Sequence, residues 1–166
     1  MNYEDVIIRR LRLDDLERVQ SFCYEQLTKS GDPFNVLRVS EKQYAWEMKR
    51  LRQEWLAQQR YFAHVAFEND TKDARMLGYG AAVVTNQAHF FQIEAIASLG
   101  ELWVDPEFRG HGIGRTIVKE IVRDVRGCGI AWMTAHLGGD ERGYEEFFKK
   151  CGFADAATEM RLFVSP

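Results

Sequence analysis

The chain has 166 residues, 46% of them apolar and 28% charged, with 22 Lys+Arg set against 25 Asp+Glu for a formal net charge of −3. That length suits one domain with a proper core, and so mild a charge excludes a general pull toward nucleic acid or an anionic membrane. Cys23, Cys128 and Cys151 show no C-x-x-C spacing, and MNYEDVIIRR has no apolar leader, so reduced thiols in a cytoplasmic protein are expected.

Val6-Ile7-Ile8 reads as a first strand. Asp14 with Glu17 forms a capping-box pattern before a helix carrying Leu16, Val19, Phe22, Cys23 and Leu27, ended by Gly31. Ser40 with Gln43 opens a second helix, whose apolar stripe is Tyr44, Met48, Leu51 and Trp55. Lys49, Arg50 and Arg52 lie partly off that stripe and read as a solvated face. Tyr61–Phe67 alternates as a half-buried strand, 68–75 is a hairpin loop, and Met76–Val84 returns. Gly78 and Gly80 there mark a bulge or a close backbone approach.

The link Thr85–Glu94 carries no clear pattern, and Ala95–Val104 is a further strand, with Gly100 a bulge candidate. A long amphipathic helix starts near Gly114, buries Ile117, Val118, Ile121, Val122 and Val125, and stops at Gly127-Cys128-Gly129. Ile130–Leu137 is a strand. Asp140 caps a short helix with Tyr144, Phe147 and Phe148, and Met160–Val164 is a last strand. The order β-α-α-β-β-β-α-β-α-β describes one mixed sheet with helices on its faces, an α/β (α+β) fold.

The most informative stretch is LWVDPEFRGHGIGRT, Leu102–Thr116. A strand breaks at Asp105-Pro106 and passes through Gly110, Gly112 and Gly114 into a helix N-terminus. Alternate glycines let backbone N–H groups crowd a ligand, and the helix end favours anions. Arg109, Arg115 and the Thr116 hydroxyl add to the same pole, so the segment reads as a phosphate cradle or else as a glycine turn with no ligand. A Walker loop would need Gly-Lys-Ser/Thr here, and a dinucleotide fingerprint would need G-x-G-x-x-G near the first strand. Neither is present.

The segment resembles the acyl-CoA signature of the GCN5-related N-acetyltransferases (GNAT), (Arg/Gln)-x-x-Gly-x-(Gly/Ala), with Arg109, Gly112 and Gly114 in its fixed places. The element order is similar along nearly the whole chain. The late helix resembles the family's Asn-x-x-Ala-x-x-Phe-Tyr-x-x-x-Gly-Phe at Phe147, Gly152 and Phe153. It departs at Glu141, Tyr144 and Phe148. The resemblance implies a single N-acetyltransferase domain over 1–166, with a mostly antiparallel sheet of about six or seven strands and about four helices. It also implies acetyl-CoA as cofactor, held by Leu102, Trp103, Val104, Arg109, Gly110, His111, Gly112, Ile113, Gly114, Arg115 and Thr116.

The family chemistry is direct attack of an amine on the thioester, with a base taking the amine proton and a Tyr protonating the thiolate. Phe148 stands at that Tyr position and has no ionisable group. Tyr144, one helical turn earlier, is the substitute acid or else an aromatic packed at the groove edge. Glu101, in the strand feeding the loop, is the base or else a surface-facing or salt-bridged Glu. Glu94 and Asp105 are weaker rivals.

His111 matters through its backbone N–H, His64 and His136 are packed or hydrogen-bonded strand residues, and His89 falls in the patternless link. No spacing suggests a metal site. The cysteines read as small core residues with no basic group beside them, Cys151 being the one near the groove. Trp46, Trp55, Phe90 and Phe91 are available to line an acceptor site with the helix pair and 31–40. The expected partner is a small-molecule or peptide amine, with no nucleic acid and no membrane. An edge strand near the C-terminus offers a route to a homodimer. A CoA-binding sensor that has lost chemistry is the alternative function, and a nucleotide-binding protein reusing the cradle is a third.

Overall fold

Tyr61–Phe67 forms β2, and the hairpin after it returns as β3, Met76–Asn86. These strands sit inside a five-stranded sheet of order β1-β2-β3-β4-β5 in the computed structural model, which describes residues 5–29, 39–135 and 142–156. β1 (Ile7–Arg10) lies antiparallel to β2, and β4 (Ala95–Val104) antiparallel to β3. β5 (Met133–Ala135) joins β4 in parallel. The helices are α1 (Leu16–Lys29), α2 (Glu41–Ala57), α3 (Ile113–Gly127) and α4 (Arg142–Lys150). The mixed, mostly antiparallel architecture follows the expected order through α4, with five strands among the described residues rather than six or seven. Gly31, His136, Gly138, Asp140, Glu141 and the strand expected at Met160–Val164 lie outside the described residues.

Two apolar clusters cover the two faces of the sheet. Leu16, Val19, Phe22 and Tyr44 pack from α1 and α2 onto Val65, Phe67, Tyr79 and Ala81. Ile113, Ile117, Val118, Ile121 and Val125 pack from α3 onto Ala66, Ala82, Val84, Ala97 and Leu99, with Phe148 of α4 beside them. Because both faces are covered, β2 is not half-buried: every residue but Phe62 is buried. Gly80 marks a close approach, since a Cβ there would fall 2.6 Å from Ile117 Cγ2.

Several boundaries differ from the sequence reading for local reasons. A 3-10 turn, Leu13–Asp15, precedes α1, and Asp15 rather than Asp14 takes the turn's first amide, from Arg12 at 2.8 Å. Asp15 also holds Arg9 through both carboxylate oxygens. β3 runs on to Asn86 because Thr85 and Asn86 pair with Ile96 and Ala95. The strand expected from Ile130 begins only at Met133: the Cys128, Gly129 and Ile130 amides are used closing the end of α3. The Ser40 cap on Gln43 forms as expected, at 3.3 Å.

Candidate cofactor and catalytic site

Between β4 and α3 the chain makes a 3-10 turn, Pro106–Phe108, capped by Asp105, whose side chain accepts from the Glu107 amide. Gly110 and Gly112 both adopt left-handed φ, +82° and +83°, a conformation costly for any residue with a Cβ. Alternating such residues with right-handed ones turns successive amides toward one side. The first helical bond of α3 is Thr116 N–H to Gly112 C=O at 2.9 Å. The Ile113, Gly114 and Arg115 amides therefore lie ahead of the ladder, with no carbonyl a turn behind them. No acidic residue stands in this first turn, while Arg115 is exposed there. A cation at the positive end of a helix is locally unfavourable. That arrangement becomes favourable once an anion sits among the amides.

Other members of the expected cradle divide by role. The Thr116 hydroxyl donates back to Gly112 C=O at 3.1 Å, tying the turn to the helix. Arg109 folds over the turn and donates Nε–H to Val104 C=O at 3.0 Å. Gly110, His111 and Gly112 are exposed, and Ile113 and Gly114 are buried. A Cβ on Gly114 would lie 3.3 Å from Val104 and 3.5 Å from the Phe147 ring, so this glycine sets how closely α3, β4 and α4 meet.

Among the described residues, the strand feeding the loop has an open edge. β5 pairs with β4 only at Ala97, Ser98 and Leu99. Beyond them, no strand among the described residues covers the outer edge of Gly100–Val104. At the same place Ala81 pairs with Glu101 and Ala82 with Leu99, leaving Gly100 unpaired as the bulge. The extra residue resets the side-chain alternation. Leu99, Leu102 and Val104 pack toward α3, and Trp103 packs with the α1/α2 cluster.

Glu101 enters a polar group under α1 and α2. Its Oε1 accepts from Arg52 Nη2 at 2.6 Å and its Oε2 from the Tyr79 hydroxyl at 2.7 Å. The Tyr61 hydroxyl bonds that of Tyr79, and Arg52 Nε donates to Tyr61 at 3.2 Å. Arg52 is therefore not on a solvated face: its side chain is 0% exposed and Glu101's is 23%. Burial alone would disfavour the Arg52 charge, but Tyr79, Glu101 and their neighbours outweigh it and keep the guanidinium protonated. Burial first, then the Glu101 charge, pushes both tyrosines up, so Tyr61 and Tyr79 stay protonated. Tyr44 is raised to about 12, chiefly by burial.

Two expectations about cysteine need correction. Cys23 does sit beside a cation, with Sγ 3.6 Å from Arg52 Nη2, although burial and then Glu101 hold its thiol well above the ordinary range. Cys128 is exposed rather than a core residue. Cys151 is half-buried, its thiol raised by burial.

Tyr144 is half-buried and packs with Phe147 against the α3 cluster. Phe148 is buried and meets Phe147 and Phe153 edge to face. Asp105 is engaged by Arg75 at 2.6 Å, and Glu94 is exposed at the end of the β3–β4 loop. His64 is buried, 2.9 Å from Asp124. Trp55 packs on Tyr61 with the rings tilted by 45°, while Trp46, Phe90 and Phe91 are exposed. Among the described residues no His, Cys, Asp and Glu gather as a metal site, and no helix is long and apolar enough to cross a membrane.

Arg52, Tyr61 and Tyr79 are the polar residues that the sequence reading missed. The available signal was the placement of Arg52 four residues after Met48 and eight after Tyr44, on the flank of the buried stripe.

Residues 20–153 match the acetyltransferase (GNAT) family model. An uncharacterized N-acetyltransferase of Methanocaldococcus jannaschii is 32% identical over 60 residues, which are 36% of this chain and 26% of that protein. The chain thus matches about a quarter of this curated relative's length. Among solved structures, a predicted acetyltransferase with acetyl-CoA from Clostridium acetobutylicum superposes with a TM-score of 0.76 at 17% identity, covering 95% of this chain and 96% of that one. Glucosamine-6-phosphate N-acetyltransferase from Arabidopsis thaliana gives 0.71 at 16% identity, covering 96% and 99%. At such identities the likeness is one of fold.

Proposed function

The chain belongs to the GNAT acetyltransferase family, and on that premise we propose that it moves an acetyl group from acetyl-CoA to a primary amine by direct attack. The observation that carries this reading is the junction of an anion-seeking helix end with an open strand edge. The Ile113–Arg115 amides lie ahead of the first helical bond, and among the described residues the edge of β4 is uncovered from the Gly100 bulge onward. The amides, with Gly110 and Gly112 turning the chain and Arg115 beside them, hold the diphosphate of the cofactor. Leu102, Trp103 and Val104 offer the edge along which the pantetheine amide groups align.

Glu101 takes a proton from the amine, directly or through one water, and the amine nitrogen then bonds to the thioester carbon. The C–S bond breaks, and the sulfur leaves as thiolate. Tyr144 donates its hydroxyl proton to that sulfur and regains one from solvent. Phe148, a hydrocarbon ring in the core, takes no part. A backbone N–H of β4 polarises the carbonyl while the charge on its oxygen develops.

The experiment is acetyl transfer from acetyl-CoA to a panel of amines (glucosamine 6-phosphate, spermidine and a dipeptide with a free amino terminus), followed by CoA release, alongside calorimetry with CoA. Turnover with at least one amine supports the reading. Tight CoA binding with no turnover on any amine would instead favour the sensor, for which the buried Phe148 is the supporting observation.

A further inference from the structure

We propose that Arg52 is a positioning residue for the transfer, acting with Tyr61 and Tyr79 to fix the Glu101 carboxylate in a single orientation; this rests on the reading of Glu101 as proton acceptor. The short contacts of the group fix a direction for its hydrogen bonds, the Tyr61 hydroxyl lying farther from Glu101 Oε2, at 3.5 Å, than the Tyr79 hydroxyl at 2.7 Å. Tyr79 keeps its one proton and gives it to Glu101 Oε2. Its oxygen must therefore accept from Tyr61 in their mutual bond. The Tyr61 oxygen in turn accepts from Arg52 Nε, and Arg52 Nη2 closes the ring on Glu101 Oε1. Within this ring the donors run from Arg52 toward the one carboxylate, along two arms, while Nη2 also meets Cys23 Sγ at 3.6 Å.

Such a ring orients but does not conduct. Arg52 gives up no proton in a protein, so the tyrosine arm has no far end through which a proton could leave. A proton captured by Glu101 departs from the exposed part of its side chain, either to water or with the product. A carboxylate has about four acceptor sites, so the ring leaves capacity for an incoming N–H. The four members come from α2, β2, β3 and β4, which ties the carboxylate to the sheet beside the bulge. Reacting groups misplaced by about 1 Å lose on the order of a hundredfold in rate, and that is the loss the ring prevents.

The test compares Arg52→Met, Arg52→Lys, Tyr79→Phe and Glu101→Gln with the wild-type protein. CoA release from acetyl-CoA is followed with the amine panel, and with water as the only acceptor. Tyr79→Phe and Arg52→Met should each lower kcat roughly tenfold or more, with the KM for acetyl-CoA unchanged. Arg52→Lys should recover only part, because an ammonium cannot make both the Nε and Nη2 contacts. Tyr79→Phe removes a single hydroxyl and keeps the question open to test should Arg52→Met fail to fold.

A folded Tyr79→Phe with wild-type kcat beside an inactive Glu101→Gln overturns the positioning role and leaves Glu101 as base. Glu101→Gln at the wild-type rate removes the base and, with it, any role for the ring. A wild-type protein that releases CoA to no amine and not to water overturns the transferase reading itself.

Discussion

Leu99 and Glu101 are two residues apart on one strand and face different helices: Leu99 packs toward α3, whereas Glu101 meets Arg52 of α2. They differ in register by one extra residue, Gly100, which pairs with nothing across β3. Leu99 and Glu101 occupy neighbouring pairs with Ala82 and Ala81, so deleting Gly100 should leave Glu101 facing α2 while removing the local bend that the bulge puts into β4. Acetyl transfer should then fall, but by less than in Glu101→Gln. Gly100→Ala, by contrast, should be close to neutral, because a Cβ there meets nothing within 4 Å. Thermal unfolding and CoA release on the two variants check the contrast.

Arg52 and Glu101 form a largely buried ion pair at 2.6 Å. Removing one partner of such a pair strands the other and typically costs about 3–5 kcal/mol. Arg52→Met alone should lose stability near the lower end of that range, since Glu101 keeps some contact with solvent. Arg52→Met combined with Glu101→Gln should lose less than the sum of the single changes. Denaturant unfolding of the two single variants and the double variant measures the coupling.

The glycine turn before α3 was legible in the sequence, and the burial of Arg52 was not, for a physical reason. A turn that brings main-chain amides together at the start of a helix favours closely spaced glycines, and Gly110, Gly112 and Gly114 mark it within a few residues. The Arg52 ring is assembled from four distant elements, and the one local sign that set Arg52 apart from its exposed neighbour Arg50 was its place four residues after Met48, which says nothing of the partners it meets. Gly100 lies between these cases: a lone glycine in a strand flagged the bulge, but not which carboxylate it would redirect. Asp15 replaced Asp14 as the capping acid because Arg9 holds it in place, a contact that local pattern does not encode.

Gly112 has φ of +83° with open space at its Cβ position. Gly112→Ala should thus be penalised by backbone conformation rather than by a clash, by about 1–2 kcal/mol. If the turn relaxes to avoid that cost, the amides of α3 lose their common direction. CoA affinity should then fall roughly tenfold, a change of about 1.4 kcal/mol, with little loss of melting temperature. Calorimetry and thermal unfolding on the same sample separate the two effects.

Asp124 links β1, β2 and α3: it accepts from Arg10 at 2.6 Å, lies 2.9 Å from His64 Nε2, and has Arg123 nearby. Burial alone would raise its pKa, but the Arg10 and His64 contacts outweigh burial and hold it below 3.8. A carboxyl lowered by folding stabilises the protein above its unfolded pKa and loses that contribution as pH falls through the folded value. Asp124→Asn should therefore be less stable than wild type at pH 7, with the gap closing as pH drops below about 3.8. Unfolding free energies from pH 7 to pH 3 follow it.

The most direct test of the transferase account is a titration of 15N-labelled protein with coenzyme A, read residue by residue. The largest amide shifts should fall on Gly110–Thr116 and on Glu101–Val104, the loop and the edge of β4 beside it. Saturable binding with those amides unmoved, and the shifts gathered elsewhere on the sheet or helices, would contradict the transferase account.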